Sequence, residues 1–262
     1  MNETHAHART AHLRRNLTLC TAEGIVATPI VALIQPGNFI IAALLTITFP
    51  LPPERYGLIA SLPFWCNFLQ LPLTPWLDRH FRVQRVSVLF CLGQLICWAV
   101  FIAVLPFFPR DNIPLCGRWF VIFFFVMNAI SAISGVSWTA WVQEWVPERV
   151  RGFYFGHRNR YMQVPTVLFL GIVGAVIDRL AGSVYAFQFL FLSAVLLRGV
   201  SITMQNRMVT VDLPGAVNAS PLPWREQLNR VIADRSLRMY ILFGAAWGFA
   251  VTGLAAFYPV FL

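Results

Sequence analysis

Apolar and charged positions alternate in blocks along this chain. Charge-free stretches cover residues 24–53, 56–77, 86–109, 119–143, 161–177, 180–197 and 239–262, and nearly all charge falls in the gaps between them. A membrane helix needs roughly 20 apolar residues to cross about 30 Å of hydrocarbon. The pattern therefore predicts an all-α polytopic membrane protein with seven spans. Pro36-Gly37 interrupts the first stretch near its middle. Such a break frees backbone carbonyls, and these are tolerated only beside protein or a water-filled cavity.

The rhythm changes at residues 205–237, a polar stretch with Pro214, Gly215, Pro221 and Pro223. Within it Trp224, Leu228, Val231 and Ile232 recur on one helical face, with Pro223 at its first turn. Arg225, Arg230 and Arg235 fall nearer the polar side, as suits a short helix lying on a membrane surface. The expected organisation is an N-terminal arm over 1–17, a six-span bundle over 18–204, a linker over 205–237 and a further span over 238–262. The last span ends at Tyr258-Pro259-Val260-Phe261-Leu262 without a polar cap, and the expectation is a chain cut inside a second bundle.

Composition sharpens this picture. Hydrophobic residues make up 58% of the chain and charged ones 12%, against roughly 25% charged in soluble domains. The formal charge of +9 comes from twenty basic residues, all arginine. They sit at the ends of apolar stretches and form no basic face or stripe, which argues against nucleic acid as a partner. Sixteen fall in the N-terminal arm and the gaps after the second, fourth and sixth stretches, and four in the remaining gaps. Positive charge accumulates on the cytoplasmic side, so the N-terminus is expected inside. The five cysteines form no CxxC pair and read as small packing residues. His5, His7 and His12 read as part of a solvated terminus.

Polar residues inside apolar stretches mark a candidate pathway, because unpaired polar groups are costly in lipid and usually turn inward. Thr28, Gln35, Asn38 and Thr46 share a narrow arc in the first stretch, and Asn128, Ser131, Gly135 and Trp138 share one face of the fourth. The second stretch adds Asn67, Gln70 and Thr74. Interhelical hydrogen bonding and close packing are the competing role for such stripes, and Gln94 in the third stretch fits that role best. Glu23 opens the first stretch; a coupling proton or a structural place near the interface would both suit it.

Two loops carry a resemblance. Thr74 and Asp78-Arg79-His80-Phe81-Arg82-Val83-Gln84-Arg85 are similar to the loop between spans two and three of the major facilitator superfamily of secondary transporters. The acidic residue and two arginines are in place, while Thr74 and Phe81 stand where that family has glycine. Pro147-Glu148-Arg149-Val150-Arg151-Gly152 and the following Phe155-Gly156-His157-Arg158-Asn159-Arg160 resemble the basic turn after span four in a bacterial branch of the family. The resemblance implies a six-helix N-terminal bundle of 3+3 inverted repeats, spans one and four lining a central cavity, and a bacterial inner-membrane location. It also implies a small-molecule solute, a lipid bilayer around the protein, a coupling proton or cation, no cofactor, and a monomer once both bundles are present. Gating at the cytoplasmic ends would involve Asp78, Arg79, Arg82, Glu144 and Arg151, with Arg82 paired to Glu144. Solute-pathway candidates are Gln35, Asn38, Asn67, Gln70, Asn128, Ser131 and Trp138, with Glu23 the candidate for proton coupling. Drug–proton antiporters of the family carry an arginine within span four and a Gly-Pro step in span five, and this chain has neither.

Other functions fit less well. A retinal protein needs a Schiff-base lysine, and the chain has none. No HExxH motif occurs and every histidine lies outside the apolar stretches, which disfavours an enzyme. A transporter-like solute sensor would share the same pattern and stays open as the alternative.

Overall fold

The computed structural model describes residues 3–35, 38–180, 183–209 and 224–261. Among them every regular element is a helix. These are α1 (Glu3–Ile34), α2 (Phe39–Ala43) continued by a π-helical turn (Leu44–Thr48), α3 (Pro53–His80), α4 (Val83–Val104) and α5 (Ile113–Trp145). Then come α6 (Glu148–Leu180), α7 (Val184–Asn206), α8 (Trp224–Ala233) and α9 (Arg235–Phe261). Five segments are long and apolar enough to cross a membrane: Ala11–Ile34, Val83–Phe107, Ile113–Trp145, Glu148–Leu180 and Val184–Asn206. Helices α3 and α9, of 28 and 27 residues, have the length as well. A membrane-embedded helical protein follows from this set.

Several boundaries differ from the charge-free stretches. Helix α1 begins at Glu3, so the terminal arm expected over 1–17 is helical from that residue on; Ala6, Ala8, Arg9, Ala11, Leu13, Arg14 and Arg15 are strong helix formers. Helix α6 starts at Glu148 and takes Arg149, Arg151, Arg158 and Arg160 into its first turns. The backbone ladder can continue through these charges because the helix projects beyond the hydrocarbon or pairs them inside. The Pro36-Gly37 break and the linker prolines at 214, 221 and 223 lie outside the described residues.

Side chains cap several helix starts. Asn112 Oδ1 accepts from the Leu115 amide at 3.1 Å, opening α5. Asp234 Oδ1 accepts from the amides of Ser236 and Leu237 at 2.8 and 3.1 Å, turning the chain from α8 into α9. Each cap satisfies N–H groups that the first helical turn leaves without partners.

The long helices form an arc. Helix α5 packs against α3 and α4, α4 also against α7, α7 against α1, and α1 against α6. Alternating directions bring the starts of α1, α4 and α6 to one end with the close of α5 and α7. There Leu13, Leu17, Cys20, Trp141, Trp145 and Met208 pack together. Arginines concentrate at this end. At the opposite end Phe49, Phe101, Phe108, Phe120 and Phe124 build an aromatic core with Trp98 and Phe191. Phe101 stacks on Phe123 at 3.8 Å between centroids, and Phe49 meets Phe120 edge-on at 5.1 Å. Such pairs add to what area burial alone supplies.

The outer surface is apolar as well. Leu89, Ile96 and Val100 on α4, Val164, Leu168 and Ile172 on α6, and Phe189 and Leu196 on α7 are exposed. Gln94, Arg158 and Arg198 on the same helices are buried. Water would not tolerate this distribution over so wide an area; lipid does. Nitroxide side chains at Ile96, Leu168 and Leu196 are therefore expected to relax with dissolved oxygen and not with a water-soluble nickel complex. Strong nickel relaxation at these three sites would contradict a lipid-facing surface.

Candidate functional site

A groove opens where α1 and α3 diverge over α5. Its cavity of about 580 Å³ is lined by Ile34 and Gln35 at the end of α1 and by Pro63, Asn67 and Gln70 on α3. Along α5 the wall runs from Asn128 through Ser131, Gly135 and Thr139 to Gln143. These α5 positions recur every three or four residues, which puts them on one helix face. Five of the seven pathway candidates, Gln35, Asn67, Gln70, Asn128 and Ser131, thus meet on one cavity wall.

Their hydrogen bonds separate groups that hold the fold from groups with unused hydrogen-bonding capacity. Gln70 Nε2 donates to Asn67 Oδ1 at 2.9 Å, so this pair still offers the Asn67 amide hydrogens and the Gln70 carbonyl. Asn128 Nδ2 donates to the Phe124 carbonyl at 2.7 Å, leaving its own oxygen as an acceptor. Ser131 is fully engaged: it donates to the Met127 carbonyl at 2.8 Å and accepts from Gln94 Nε2 at 2.9 Å. Gln94, expected as a link between helices, joins α4 to α5 in this way. Asn38 lines a smaller neighbouring cavity, but its amide bridges the helix break. Its oxygen accepts from the Ile40 amide at 2.7 Å, and its nitrogen donates to the Ala32 carbonyl. Thr28 and Thr46 return their hydroxyls to the carbonyls of Gly24 and Ala42. Of the arc read from the first stretch, Gln35 remains exposed and open.

Trp138 is not in the groove. Its ring lies under the guanidinium of Arg158, with Arg158 Cζ 4.6 Å from the centroid. That contact belongs to a second polar site, at the arginine-rich end. Glu23 is buried there and meets two arginines: Arg158 Nη2 lies 3.4 Å from Oε2, and Arg198 Nη1 lies 3.5 Å from Oε1. Ser201 and Gln205 on α7 donate to Oε1 at 3.0 and 2.9 Å. Arg158 Nε donates to the Cys20 carbonyl at 3.2 Å, and Arg198 Nη2 to Cys91 Sγ at 2.8 Å.

Both arginines were expected among the interfacial charges; the structure buries them. Arg198, Ser201 and Gln205 follow at i, i+3 and i+7, a polar stripe continuing α7 beyond its charge-free stretch. That signal was available. The partnership with Glu23 was not, because it joins helices far apart in sequence. Gly24 makes room for it: a Cβ there would lie 2.3 Å from Arg158 Nη2 and 2.8 Å from Cζ.

The expected gating residues fall at the same end. Arg151 Nη2 donates to the carbonyls of Gln143 and Val146 at 2.9 and 3.1 Å, so it caps the C-terminus of α5. Arg82 is the exposed N-cap position of α4, and Glu144 is exposed in the last turn of α5. Asp78 and Arg79 lie in the last turns of α3, with side chains outside the described ones, as is that of Thr74. Among the described residues no group of three or more metal-ligating side chains occurs.

Removing one partner from a buried ion pair typically costs about 3–5 kcal/mol. Glu23→Gln leaves two buried arginines without a carboxylate and is expected to lower the melting temperature in detergent by on the order of 10 °C. Gly24→Ala should also destabilise, with every charge intact, by displacing Arg158. A Glu23→Gln variant as stable as the original chain would show that the cluster does not hold these helices.

No family model, no curated protein and no solved structure matches this chain.

Proposed function

We propose that the chain forms a solute-binding bundle of a secondary transporter, which moves a small solute across a membrane by alternating access. One observation carries this reading. Five polar side chains from three separate segments of the chain line one open cavity in a molecule with a largely apolar outer surface. Polar groups in a membrane protein cluster in this way around a substrate or an ion path. Asn67, Gly135, Thr139 and Gln143 remain exposed along it, which leaves one partly polar face uncovered.

Glycines on α5 and α6 offer places for close helix contact. An added Cβ would meet open space at Gly135, Gly152, Gly156, Gly171 and Gly174, and small residues let helix backbones approach in membranes. Helix α6 carries four of these glycines, and its buried residues are Arg158 and Val173. In the proposed molecule a second bundle covers the open side of the groove, and the two rock about it. The resemblance to the major facilitator superfamily implies spans one and four at the pathway; α1 and α5 both line the groove. The 3+3 repeat, a bacterial inner-membrane location, an inward N-terminus and a monomeric state belong to this proposal. A proton coupled at Glu23 would have to loosen Arg158 or Arg198 from the carboxylate. That links coupling to the packing of α1 on α6 and α7.

The test is aqueous access that alternates. Asn67→Cys and Thr139→Cys in membrane vesicles are expected to react with a water-soluble maleimide. Arg158→Gln, which frees α6 from Glu23, should change the rate at these positions severalfold. Positions inert to the reagent in intact and in permeabilised vesicles would overturn the reading. Solute binding in vesicles without any flux would identify a sensor instead.

A further inference from the structure

The outer side of α4 and α5 holds a separate cleft near the arginine-poor end. Its volume is about 250 Å³, and Val100, Phe101, Phe108, Trp119, Ile122 and Phe123 are in its walls. Phe101 and Phe108 are buried, while Val100, Trp119 and Ile122 are exposed. Ring contacts fix the walls: Phe101 stacks on Phe123 at 3.8 Å between centroids, and Trp119 meets Phe108 edge-on at 5.5 Å. A concavity held open in this way costs little ordering when it is filled.

Three observations say what fills it. Apart from the Trp119 indole nitrogen, every side chain in the walls is apolar, so water or a dissolved solute finds almost no polar partner there. The cleft also opens on the apolar outer surface, with exposed Ile96 and Val126 one turn from Val100 and Ile122. It faces away from the groove: Trp119 and Asn128 lie nine residues apart on α5, two and a half turns, and so stand on opposite sides of that helix. A bundle covering the groove leaves the cleft open to lipid. Finally, Arg118 is exposed one turn before Ile122, at the end of the cleft nearer the loop. It has no ion pair or hydrogen bond among the described residues, the exposed Asp111 of that loop included. Arg110 is turned elsewhere, with its guanidinium 5.2 Å from the Phe49 ring centroid. A free arginine at the end of an apolar stretch reaches headgroup level and suits a phosphate.

We infer that this cleft is a phospholipid site, with one acyl chain between α4 and α5 and an anionic headgroup on Arg118. A headgroup of net negative charge is favoured over a choline headgroup, whose own cation competes with the guanidinium. The site requires a bilayer around the protein and is independent of the solute reading above.

The experiment uses the full chain in vesicles of equal phosphatidylglycerol and phosphatidylcholine. Each lipid in turn carries a photoactivatable diazirine on its acyl chain, and crosslinked peptides are mapped by mass spectrometry. Phosphatidylglycerol capture around Val100 and Ile122 is expected to exceed, severalfold, capture at the comparably exposed Leu168 and Leu196. Val100→Trp, which fills the cleft from its exposed rim, should bring capture down to the level of those two faces. Ile122→Trp repeats that test from α5 should the first variant not fold. Arg118→Gln should lower the preference for phosphatidylglycerol by about fivefold, the effect of one basic residue at a membrane surface. Capture spread evenly over the three faces, or unchanged by both fillings, would overturn the site. Equal capture of the two lipids, or a preference untouched by Arg118→Gln, would overturn the anionic headgroup on Arg118. A disulfide between two Ile122→Cys chains would show a second copy in the cleft and overturn the inference as well. None of these outcomes bears on the maleimide test of the groove.

Discussion

One carboxylate ties three helices together. Glu23 on α1 receives Arg158 from α6 and Arg198, Ser201 and Gln205 from α7. In a low-dielectric interior each of these groups would be costly alone, and together they satisfy most of one another's needs. The arrangement depends on a missing methyl group, because a side chain at position 24 would collide with the Arg158 guanidinium. Helix α6 is held besides by buried Val173, by Tyr154 Oη donating to the Leu17 carbonyl at 3.0 Å, and by half-buried Phe169 and Leu170 against the core. Three turns farther along α1, Gln35 reaches the groove, so the charge cluster also sets where the groove's first wall stands.

The groove owes its chemistry to what the backbone does not use. Lipid provides no hydrogen bonds, so a hydroxyl or amide in the bundle is stabilised by a partner within the protein. Thr28, Thr46, Ser131 and Asn38 find theirs in nearby carbonyls and amides, and their polarity is absorbed by the helices. Gln35, Asn67, Gln70 and Asn128 keep capacity after that accounting, and all four face one cavity. A polar stripe in a membrane helix thus divides into groups that hold structure and groups available to a solute. The hydrogen-bond partners make the division; residue type does not. Trp138 shows the same thing from the aromatic side, since it lies on a stripe and serves Arg158.

How much could be read in advance differs by element. The helices α4, α5 and α7 follow from apolar runs bounded by charge, and the face shared by Asn128, Ser131 and Gly135 follows from helical spacing. The extension of α1 to Glu3 and of α6 to Glu148 is hidden in the pattern, because charge ends a membrane span and does not end a helix. Arg151, a gating candidate by sequence, caps α5 through a carbonyl eight positions away, around a tight turn, and that contact is not legible in the sequence. The groove residues were legible as polar faces on separate helices. Their meeting was not, since nothing in a single periodic pattern states which face turns toward which.

The sequence by itself determined that this is a helical membrane protein, where most helices lie, and which residues are polar enough to need an inward position. Hydrocarbon imposes those answers locally, through length and the cost of unpaired groups. Tertiary structure alone decided which arginines are buried and which amides stay open. Glu23 lies 135 residues from Arg158 and 182 from Gln205. Only the packing of α1 between α6 and α7 brings them within hydrogen-bonding distance, and that packing is a property of side-chain shape, down to the bare Cα of Gly24.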